Sequence, residues 1–342
     1  MIEIDGSTGE SGGQILRTAL SLAAITGKSF SIKNIRLKRP KPGLQAQHLT
    51  CVKAMSEICS AEVKGAELSS TSLTFKPSEI NGGNYNFDIG TAGSITLLAQ
   101  CVLPALLLAD KPSSILFTGG THVPFSPLAD YFSEIFLPTI KNIGANAEFS
   151  VNRIGLYPKG GGKATLSIAH SEFSPLSLTK RGELKKLTLN STVFSLPLAV
   201  AQRQVKEVRK KLSAFELKLV ENIKEVQSVG QGTYTFIRAD YDSTVAGFSS
   251  LGKIGKSSEE VGREAAEAFL EFEKSGACVD LHLADQLLIY AALAAGKSKS
   301  DFTTSQISQH FETNAWVIRQ FLDVEIKWEK KGENYLAKVG RL

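Results

Sequence analysis

The sequence is poor in the residues that build metal centres and disulfide frameworks. Its 342 residues include only four cysteines and five histidines. Cys51, Cys59, Cys101 and Cys278 show no CxxC spacing and no clustering with histidine, so they indicate neither a zinc site nor a set of disulfides. We expect reduced and mostly buried thiols.

Long hydrophobic runs are missing as well. The longest apolar stretch, LLAQCVLPALLLA at residues 97–109, is interrupted by Gln100 and Pro104 and is too short to span a bilayer. The first ten residues, MIEIDGSTGE, lack the basic start and the apolar run of a secretion signal. These absences predict a cytoplasmic protein that does not enter a membrane.

Two nucleotide-handling motifs are absent. Three GKS tripeptides begin at residues 27, 255 and 296, but the glycine that a P-loop needs five positions earlier is missing in each case. The KxDG motif of enzymes that adenylylate lysine is not present either. Any nucleotide chemistry must therefore depend on other residues.

The composition that remains is that of a folded, mildly basic protein. The hydrophobic fraction is 42% and the charged fraction 21%, as in ordinary globular domains, and the length suits about two domains. The net charge of +5 helps a polyanionic partner approach, although many proteins with no nucleic-acid role are equally basic.

An internal repeat organises the chain. Segments that begin at residues 14, 94 and 284 each have the pattern of an apolar helix, a polar turn and a short strand, followed by a loop, a second helix and two alternating strands. The second helices are predicted at residues 43–59, 127–143 and 312–322. The second gap exceeds the first by the size of a small domain, which predicts an insertion.

The insertion is predicted at residues 181–277. It contains a strand at 183–194, a strongly charged helix at 199–223, a strand at 232–240 and a helix at 257–276. These elements make a small α+β domain. The predicted organisation is repeats one and two at 1–180, the insert at 181–277 and the third repeat at 278–342.

A glycine-rich loop precedes the first apolar helix. Residues 6–13 hold four glycines between a predicted strand and the helix, which leaves backbone N–H groups free for phosphate at a helix N-terminus. Glu10 in this loop repels phosphate unless a divalent cation bridges the two, and Arg17 lies about one turn into the helix. A plain tight turn, with Glu10 favouring the helix start, explains the same residues without a ligand.

Three other places hold polar residues that have two interpretations. YPKGGGKA at residues 157–164 joins two alternating strands, which favours a hairpin turn over a phosphate cradle. Asp285 and Gln286 either begin an apolar helix or frame a nucleotide or an imidazole. Gln100 lies inside an apolar helix, where a buried amide needs partners.

His310 lies in SQISQHFETNAW, between a predicted strand and a predicted helix. An imidazole serves as base, metal ligand or nucleophile, but composition alone favours a structural or surface role because no second histidine sits at metal spacing. If the repeats pack around a common axis, the loops at 36–48, 119–127 and 308–314 become neighbours. His310 then faces basic residues and helix starts.

The longer segments of the chain occur in a recognisable order. They are GSTGESGGQILRTALSLAAITGKSF, RPKPGLQAQHLTCVKA, IGTAGSITLLAQCVLPALLLAD, LYPKGGGKA, HLADQLL and QHFETN. This series resembles the signature segments of RNA 3'-terminal phosphate cyclase over essentially the whole chain. The resemblance implies an α+β fold of three repeats, each two helices on a four-stranded sheet and akin to the C-terminal domain of translation initiation factor 3, with a small inserted α+β domain.

The resemblance also implies an activity. In that family a histidine of the final repeat attacks the α-phosphate of ATP and carries AMP, AMP passes to the 3'-phosphate of an RNA end, and the 2'-hydroxyl closes a 2',3'-cyclic phosphate. His310 matches that histidine. ATP and Mg²⁺ or Mn²⁺ are the implied cofactors, RNA with a 3'-phosphate end is the implied partner, and a homodimer is compatible with this family.

Site residues follow by motif match. The ATP site would be lined by Gln100, His282, Leu283, Ala284, Asp285 and Gln286. Glu10 would help hold the metal, and phosphates of ATP or of the RNA end would meet Arg17, Arg36, Arg39 and Gln47. His282 departs from the tyrosine that is common there in the family, which puts nucleotide affinity or preference in doubt.

Two other functions fit the sequence less well. A non-catalytic relative that acts as a ribosome-assembly factor is expected to lack the nucleophilic histidine, whereas His310 stands in a full HFETN context. An enolpyruvyl transferase would share the repeated fold but not the HLADQ and QHFETN segments. The sequence favours the cyclase over both.

Overall fold

The computed structural model describes the backbone of residues 1–342 and every side chain except those of residues 216 and 217. Across the described backbone, the strands form four sheets of four strands each, with helices packed against them. The α+β class predicted from the sequence is confirmed.

The first sheet is built by the N-terminal part of the chain. Its elements are β1 (Ile2–Asp5), α1 (Gly13–Thr26), β2 (Phe30–Lys33), α2 (Ala46–Ile58), β3 (Glu62–Lys64) and β4 (Leu73–Lys76). The strand order is β1-β2-β4-β3, with β1 parallel to β2 and the other pairs antiparallel. Gly27 ends α1 at a φ of 68°, a left-handed conformation that glycine adopts without steric cost.

The second sheet has the same pairing. Its elements are β5 (Asn84–Asp88), α3 (Ile95–Leu106), β6 (Ser113–Gly119), α4 (Ala129–Tyr131), a π-helical turn (Phe132–Phe136), α5 (Leu137–Lys141), β7 (Asn146–Arg153) and β8 (Gly162–Ala169). The strand order is β5-β6-β8-β7. The helix predicted at 127–143 is continuous over 129–141 and contains a π-helical turn, whose buried Phe132 and Phe136 rings stack 5.1 Å apart.

Strand β9 (Ser177–Leu178) is followed by the insertion. Its elements are β10 (Leu184–Phe194), α6 (Ala199–Lys211), a 3₁₀ turn (Ser213–Lys218), β11 (Leu219–Val226), β12 (Gly232–Tyr241), β13 (Val245–Leu251) and α7 (Ser258–Ser275). The strand order is β11-β10-β12-β13, and α6 and α7 pack together on this sheet. Residues from Leu184 to Ala277 enclose a hydrophobic core separate from the main one.

The charged helix predicted at 199–223 is wrong in its second half. Helix α6 ends at Lys211, and the chain after the 3₁₀ turn becomes β11, which pairs in parallel with β10. Strand β11 lies at a sheet edge with most of its side chains exposed or half-buried. Both faces of this strand mix apolar and polar residues, so no alternation marks it, and only its pairing with β10 identifies it.

The remaining sheet takes strands from both sides of the insertion. The elements after the insert are α8 (Leu281–Ala294), β14 (Ser300–Thr304), α9 (Gln309–Phe321), β15 (Val324–Lys331) and β16 (Asn334–Arg341). The strand order is β15-β16-β14-β9, with β9 parallel to β14. The sheet that follows the insert in sequence is therefore completed by a strand that precedes it.

The main core lies around the apolar helices. Helix α1 packs against α3 and α9, and α8 packs against α9, so the helices of three sheets meet. All four cysteines are buried and free, as the sequence predicts. Among the described helices, none has the length and apolar character that a membrane crossing needs.

Candidate active site

His310 lies in the first turn of α9, not in a loop. The helix begins at Gln309, and the side chain of its N-cap, Ser308, accepts a hydrogen bond from the backbone N–H of Phe311. The helix predicted to start at Glu312 is therefore one turn longer. Capping at Ser308 decides the start, because it satisfies an N–H group that would otherwise lack a partner.

The two ring nitrogens of His310 have different surroundings. Nδ1 lies 2.8 Å from Oε1 of Gln14 and 2.7 Å from Oε1 of Glu10. Nε2 has no hydrogen-bond partner among the described residues, and half of the side chain (50%) is exposed. The contact with Glu10 is the main cause that raises the pKa of His310 above its ordinary value, against the effect of burial.

Glu10 connects the glycine-rich loop to His310. Its Oε2 lies 3.2 Å from the guanidinium of Arg39. The carbonyl oxygen of Gln14 can only accept, so Nδ1 of His310 is the donor in that contact, and Oε1 of Glu10 faces the same nitrogen as its ion-pair partner. Burial alone would raise the pKa of Glu10, but His310 and Arg39 hold it below its ordinary value.

Gln14 joins His310 to α8. Its amide nitrogen donates to Oδ2 of Asp285 at 2.7 Å while its carbonyl oxygen faces His310. Asn314 of α9 donates to the backbone carbonyl of Asp285, at 2.7 Å, and accepts from the hydroxyl of Thr18, also at 2.7 Å. Burial raises the pKa of Asp285 to about 6, although the nearby histidines oppose the shift.

Asp285 does not begin its helix, as one interpretation held. Helix α8 starts at Leu281, and Asp280 is its N-cap, accepting from the backbone N–H groups of His282 and Leu283. Asp285 is one turn further on. Its carboxylate is therefore available to Gln14.

The segment 282–286 divides between the core and the site. Leu283 and Ala284 are fully buried in the main core, whereas His282 is exposed at the start of α8. The amide of Gln286 accepts a hydrogen bond of 2.8 Å from Gln100 on α3. The structure thus brings Gln100 and Gln286 together.

Arg17 is a half-buried cation with no hydrogen-bond or ion-pair partner for its guanidinium among the described residues. Beside it, the ring of half-buried His48 of α2 lies against Gly13, and its partial removal from water together with the charges of Arg17 and Arg36 lowers its pKa to about 3. His48 is therefore neutral. An unpaired guanidinium next to a helix N-terminus is an arrangement that attracts anions.

The other residues predicted to contact phosphate already have partners within the protein. Arg36 donates to the backbone carbonyls of Lys41 and Gly43 and so shapes its own loop. Gln47 accepts from the backbone N–H of Ser94 at 3.0 Å, which places it beside the loop that precedes α3. Arg39 pairs with Glu10.

The predicted meeting of three loops is seen only in part. The loop at 36–48 and the start of α9 meet through Glu10. In the loop at 119–127, His122 turns instead toward the insert, where its ring packs against Tyr234. Sequence reasoning missed Gln14 and His48, although a glutamine at the start of an apolar helix is a polar residue that needs partners.

The site has one carboxylate suited to a divalent cation. No group of three or more His, Cys, Asp or Glu side chains among the described residues is arranged to hold a metal ion. The carboxylate of Glu10 lies at the site between His310 and Arg39 and fits a hard cation by its chemistry, because Mg²⁺ commonly takes one or two carboxylates and completes its shell with water and phosphate oxygens.

Comparisons with known proteins agree with the sequence resemblance. The family model described as RNA 3'-terminal phosphate cyclase matches residues 8–328. The chain is 42% identical to the protein of that name from Methylococcus capsulatus, over 94% of this chain and 91% of the relative. It is 42% identical to that of Archaeoglobus fulgidus (96% and 98%) and 40% identical to that of Pyrobaculum neutrophilum (99% and 98%).

Proposed function

Because this chain belongs to the RNA 3'-terminal phosphate cyclase family, we propose that it converts an RNA 3'-terminal phosphate to a 2',3'-cyclic phosphate with ATP. The reaction runs through AMP covalently attached to His310 and then through an RNA end activated by AMP. The observation that carries the mechanism is the asymmetry of His310, whose Nδ1 is engaged and whose Nε2 is open.

In the first step, Nε2 of neutral His310 attacks the α-phosphorus of ATP. A nitrogen–phosphorus bond forms, the bond from the α-phosphorus to the bridging oxygen breaks, and pyrophosphate leaves. The carbonyl oxygen of Gln14 accepts a hydrogen bond from Nδ1–H, which keeps the proton on Nδ1 and the lone pair on Nε2. The negative charge of Glu10, 2.7 Å from Nδ1, stabilises the positive charge that the ring acquires.

Positive charge without an acidic partner supports binding of the triphosphate. The guanidinium of Arg17 has no ion-pair partner among the described residues, and His48 beside it is neutral. Arg17 is therefore the residue of this pair that carries a positive charge. The N-terminus of α1 adds backbone N–H groups from the glycine-rich loop. Together they stabilise the charge that develops on the phosphoryl oxygens.

Mg²⁺ or Mn²⁺ held by Glu10 would offset the negative charge of the phosphates. The presence of this carboxylate in the glycine-rich loop, beside the N-terminus of α1, supports this role. The adenine is expected beside the Gln100–Gln286 pair and His282, with Leu283 and Ala284 packed behind them.

In the second step, an oxygen of the RNA 3'-phosphate attacks the phosphorus of AMP, and the nitrogen–phosphorus bond breaks to restore His310. In the third, the 2'-hydroxyl gives its proton to water and attacks the 3'-phosphorus. The bond from that phosphorus to the bridging oxygen breaks, and AMP leaves with the oxygen. Arg36, Arg39 and Gln47 orient the RNA end, since the ring closure is intramolecular and gains most from positioning.

The family fold in its finer form belongs to the same proposal. Three sheets place their strands, counted along the chain, in the order first, second, fourth, third, whereas the sheet of the insert has the order second, first, third, fourth. The shared order supports three copies of one ancestral unit. The non-catalytic relative that acts in ribosome assembly is less well supported, because His310 is present and its Nε2 is accessible.

The test is to incubate the protein with ATP labelled at the α-phosphate and Mg²⁺ or Mn²⁺, then to measure label on the denatured chain. We expect an acid-labile, alkali-stable adduct that maps to His310, followed by cyclisation of RNA 3'-phosphate ends. His310→Ala is the matched control and should carry no label. An unlabelled parent protein under every metal condition would refute the covalent mechanism.

A further inference from the structure

The hairpin between β7 and β8 carries three cations that have no acidic partner. Arg153, at the end of β7, lies directly opposite Lys163 of β8, and Lys159 lies in the turn between them. All three are exposed, and within the described part of the chain none makes an ion pair. Because like charges directly opposite each other destabilise a sheet, the pair costs stability unless an anion binds.

Backbone contacts hold these cations without neutralising them. Nε of Arg153 donates to the carbonyl of Gly161 at 2.7 Å, and Nζ of Lys159 donates to the carbonyl of Val229 in the insert at 3.1 Å. In the cross-strand row of Lys163, the carboxylate of Asp88 lies two strands away. The positive potential at the hairpin is therefore largely uncompensated.

An aromatic side chain accompanies the cations. Tyr157 lies in the same turn, and 66% of it is exposed. Surfaces that bind single-stranded nucleic acid combine cations for the backbone with aromatic rings for stacking of the bases. In this hairpin the aromatic ring of Tyr157 and the cations of Lys159 and Lys163 fall within seven residues, at the turn and the start of β8.

The hairpin turn lies beside the candidate active site. A Cβ atom at Gly160 would come within 2.8 Å of Thr91 O and of the Cα of Ala92, so the turn packs directly on the loop that precedes α3. In that loop, the backbone N–H of Ser94 donates to Gln47. The turn is thus continuous with the place where the RNA end is expected.

We propose that Arg153, Tyr157, Lys159 and Lys163, here called the hairpin surface, bind the nucleotides that precede the 3' end of the RNA substrate. This inference rests on the proposed function. The cations contact backbone phosphates, and Tyr157 stacks on a base, so the surface acts on the strand without regard to its sequence. It gives the turn a role beyond that of a hairpin connection.

The test compares the double variant R153Q/K163Q with the parent on a dinucleotide and on a dodecamer that both carry a 3'-phosphate. We expect KM for the dodecamer to rise about tenfold, because two phosphate contacts are lost, with KM for the dinucleotide and kcat unchanged. The slope of log affinity against log salt should fall by about 1.4, that is about 0.7 for each charge. The matched control is K330Q/R341Q, on β15 and β16, which removes the same two kinds of charge.

Thermal unfolding of the parent and of both double variants checks that all three proteins are folded to the same extent. Relief of the repulsion between Arg153 and Lys163 should leave the midpoint of R153Q/K163Q unchanged or raise it. An unchanged KM for the dodecamer, or an equal loss on both substrates, overturns the proposal. If the parent neither binds label from ATP nor cyclises RNA, the proposed function fails, and the hairpin surface is then decided by fluorescence anisotropy of a labelled dodecamer with the same variants.

Discussion

Two histidines of this chain each lie against a carboxylate, and they differ in what their other nitrogen meets. Nδ1 of His310 lies 2.7 Å from Glu10 and its Nε2 is open to a half-exposed site. Nε2 of His122 lies 2.7 Å from Asp130, its Nδ1 shares a hydrogen bond with the hydroxyl of Thr121 at 2.9 Å, and its side chain is 2% exposed. Of these two rings, only that of His310 has a nitrogen without a hydrogen-bond partner among the described residues.

The neighbours of His122 indicate a structural role. Its ring packs 4.8 Å from that of Tyr234 and 5.6 Å from that of Phe194, both in the insert. The hydroxyl of Tyr234 donates to Asp130 at 2.8 Å. This network joins the loop after β6 to the inserted domain. A histidine beside a carboxylate thus acts as a structural joint at position 122, where both ring nitrogens have hydrogen-bond partners. At position 310, where one nitrogen has none, it is a candidate nucleophile.

Removal of His310 should have the largest effect on chemistry and little on stability. We expect His310→Ala to lose adenylylation by about three orders of magnitude or more, since no other group replaces the nucleophile. Its free energy of unfolding should change by less than about 1 kcal/mol, because the side chain is half-exposed. Label incorporation and urea unfolding measure the two effects. A strongly destabilised His310→Ala variant would show that His310 has a structural role like that of His122.

Removal of His122 should lower stability and leave adenylylation unchanged. His122→Ala leaves the largely buried Asp130 without its main partner, which should cost about 2–3 kcal/mol of unfolding free energy. Adenylylation per folded molecule should persist, because the ring does not reach the reacting atoms. Urea unfolding and active-site titration with labelled ATP measure this. An unchanged stability would contradict the role of a joint.

The pH dependence of adenylylation should depend on Glu10. The pKa of His310 is raised, first by the contact with Glu10, so the nucleophile is protonated and inactive below that pKa and active above it. In Glu10→Gln the acid limb of the single-turnover rate should move to lower pH, while the plateau falls about tenfold with the loss of charge stabilisation. An acid limb at the same pH in both proteins would show that Glu10 does not control this ionisation.

The smallest expected effect is that of Tyr234→Phe. This change removes one hydrogen bond to Asp130 and keeps the ring packed on His122, so about 1 kcal/mol of unfolding free energy should be lost. Phe194→Leu, which leaves that hydrogen bond intact, separates packing from polar effects. If Tyr234→Phe were as stable as the parent, the hydrogen bond would add nothing to the joint.

Some elements were predictable because local signals coincide with tertiary packing. Helix α7 has Ser257 as its N-cap and Gly276, at a φ of 67°, at its C-terminus, and its sequence predicts both ends. Strand β12 agrees with the prediction as well. Strands β9 and β11 were missed, since pairing with β14 and with β10, rather than periodicity, makes each of them a strand.

The sequence by itself determined the α+β class, the family and the candidate residues, because periodicity, glycine loops and motif order are local properties. Only the tertiary structure decided which of those residues meet. Gln14 reaches His310 and Asp285 across 296 and 271 positions of the chain, and whether a histidine has a free nitrogen depends on such neighbours. The same residue type became a joint at position 122 and an open nitrogen at position 310, since packing sets burial and partners.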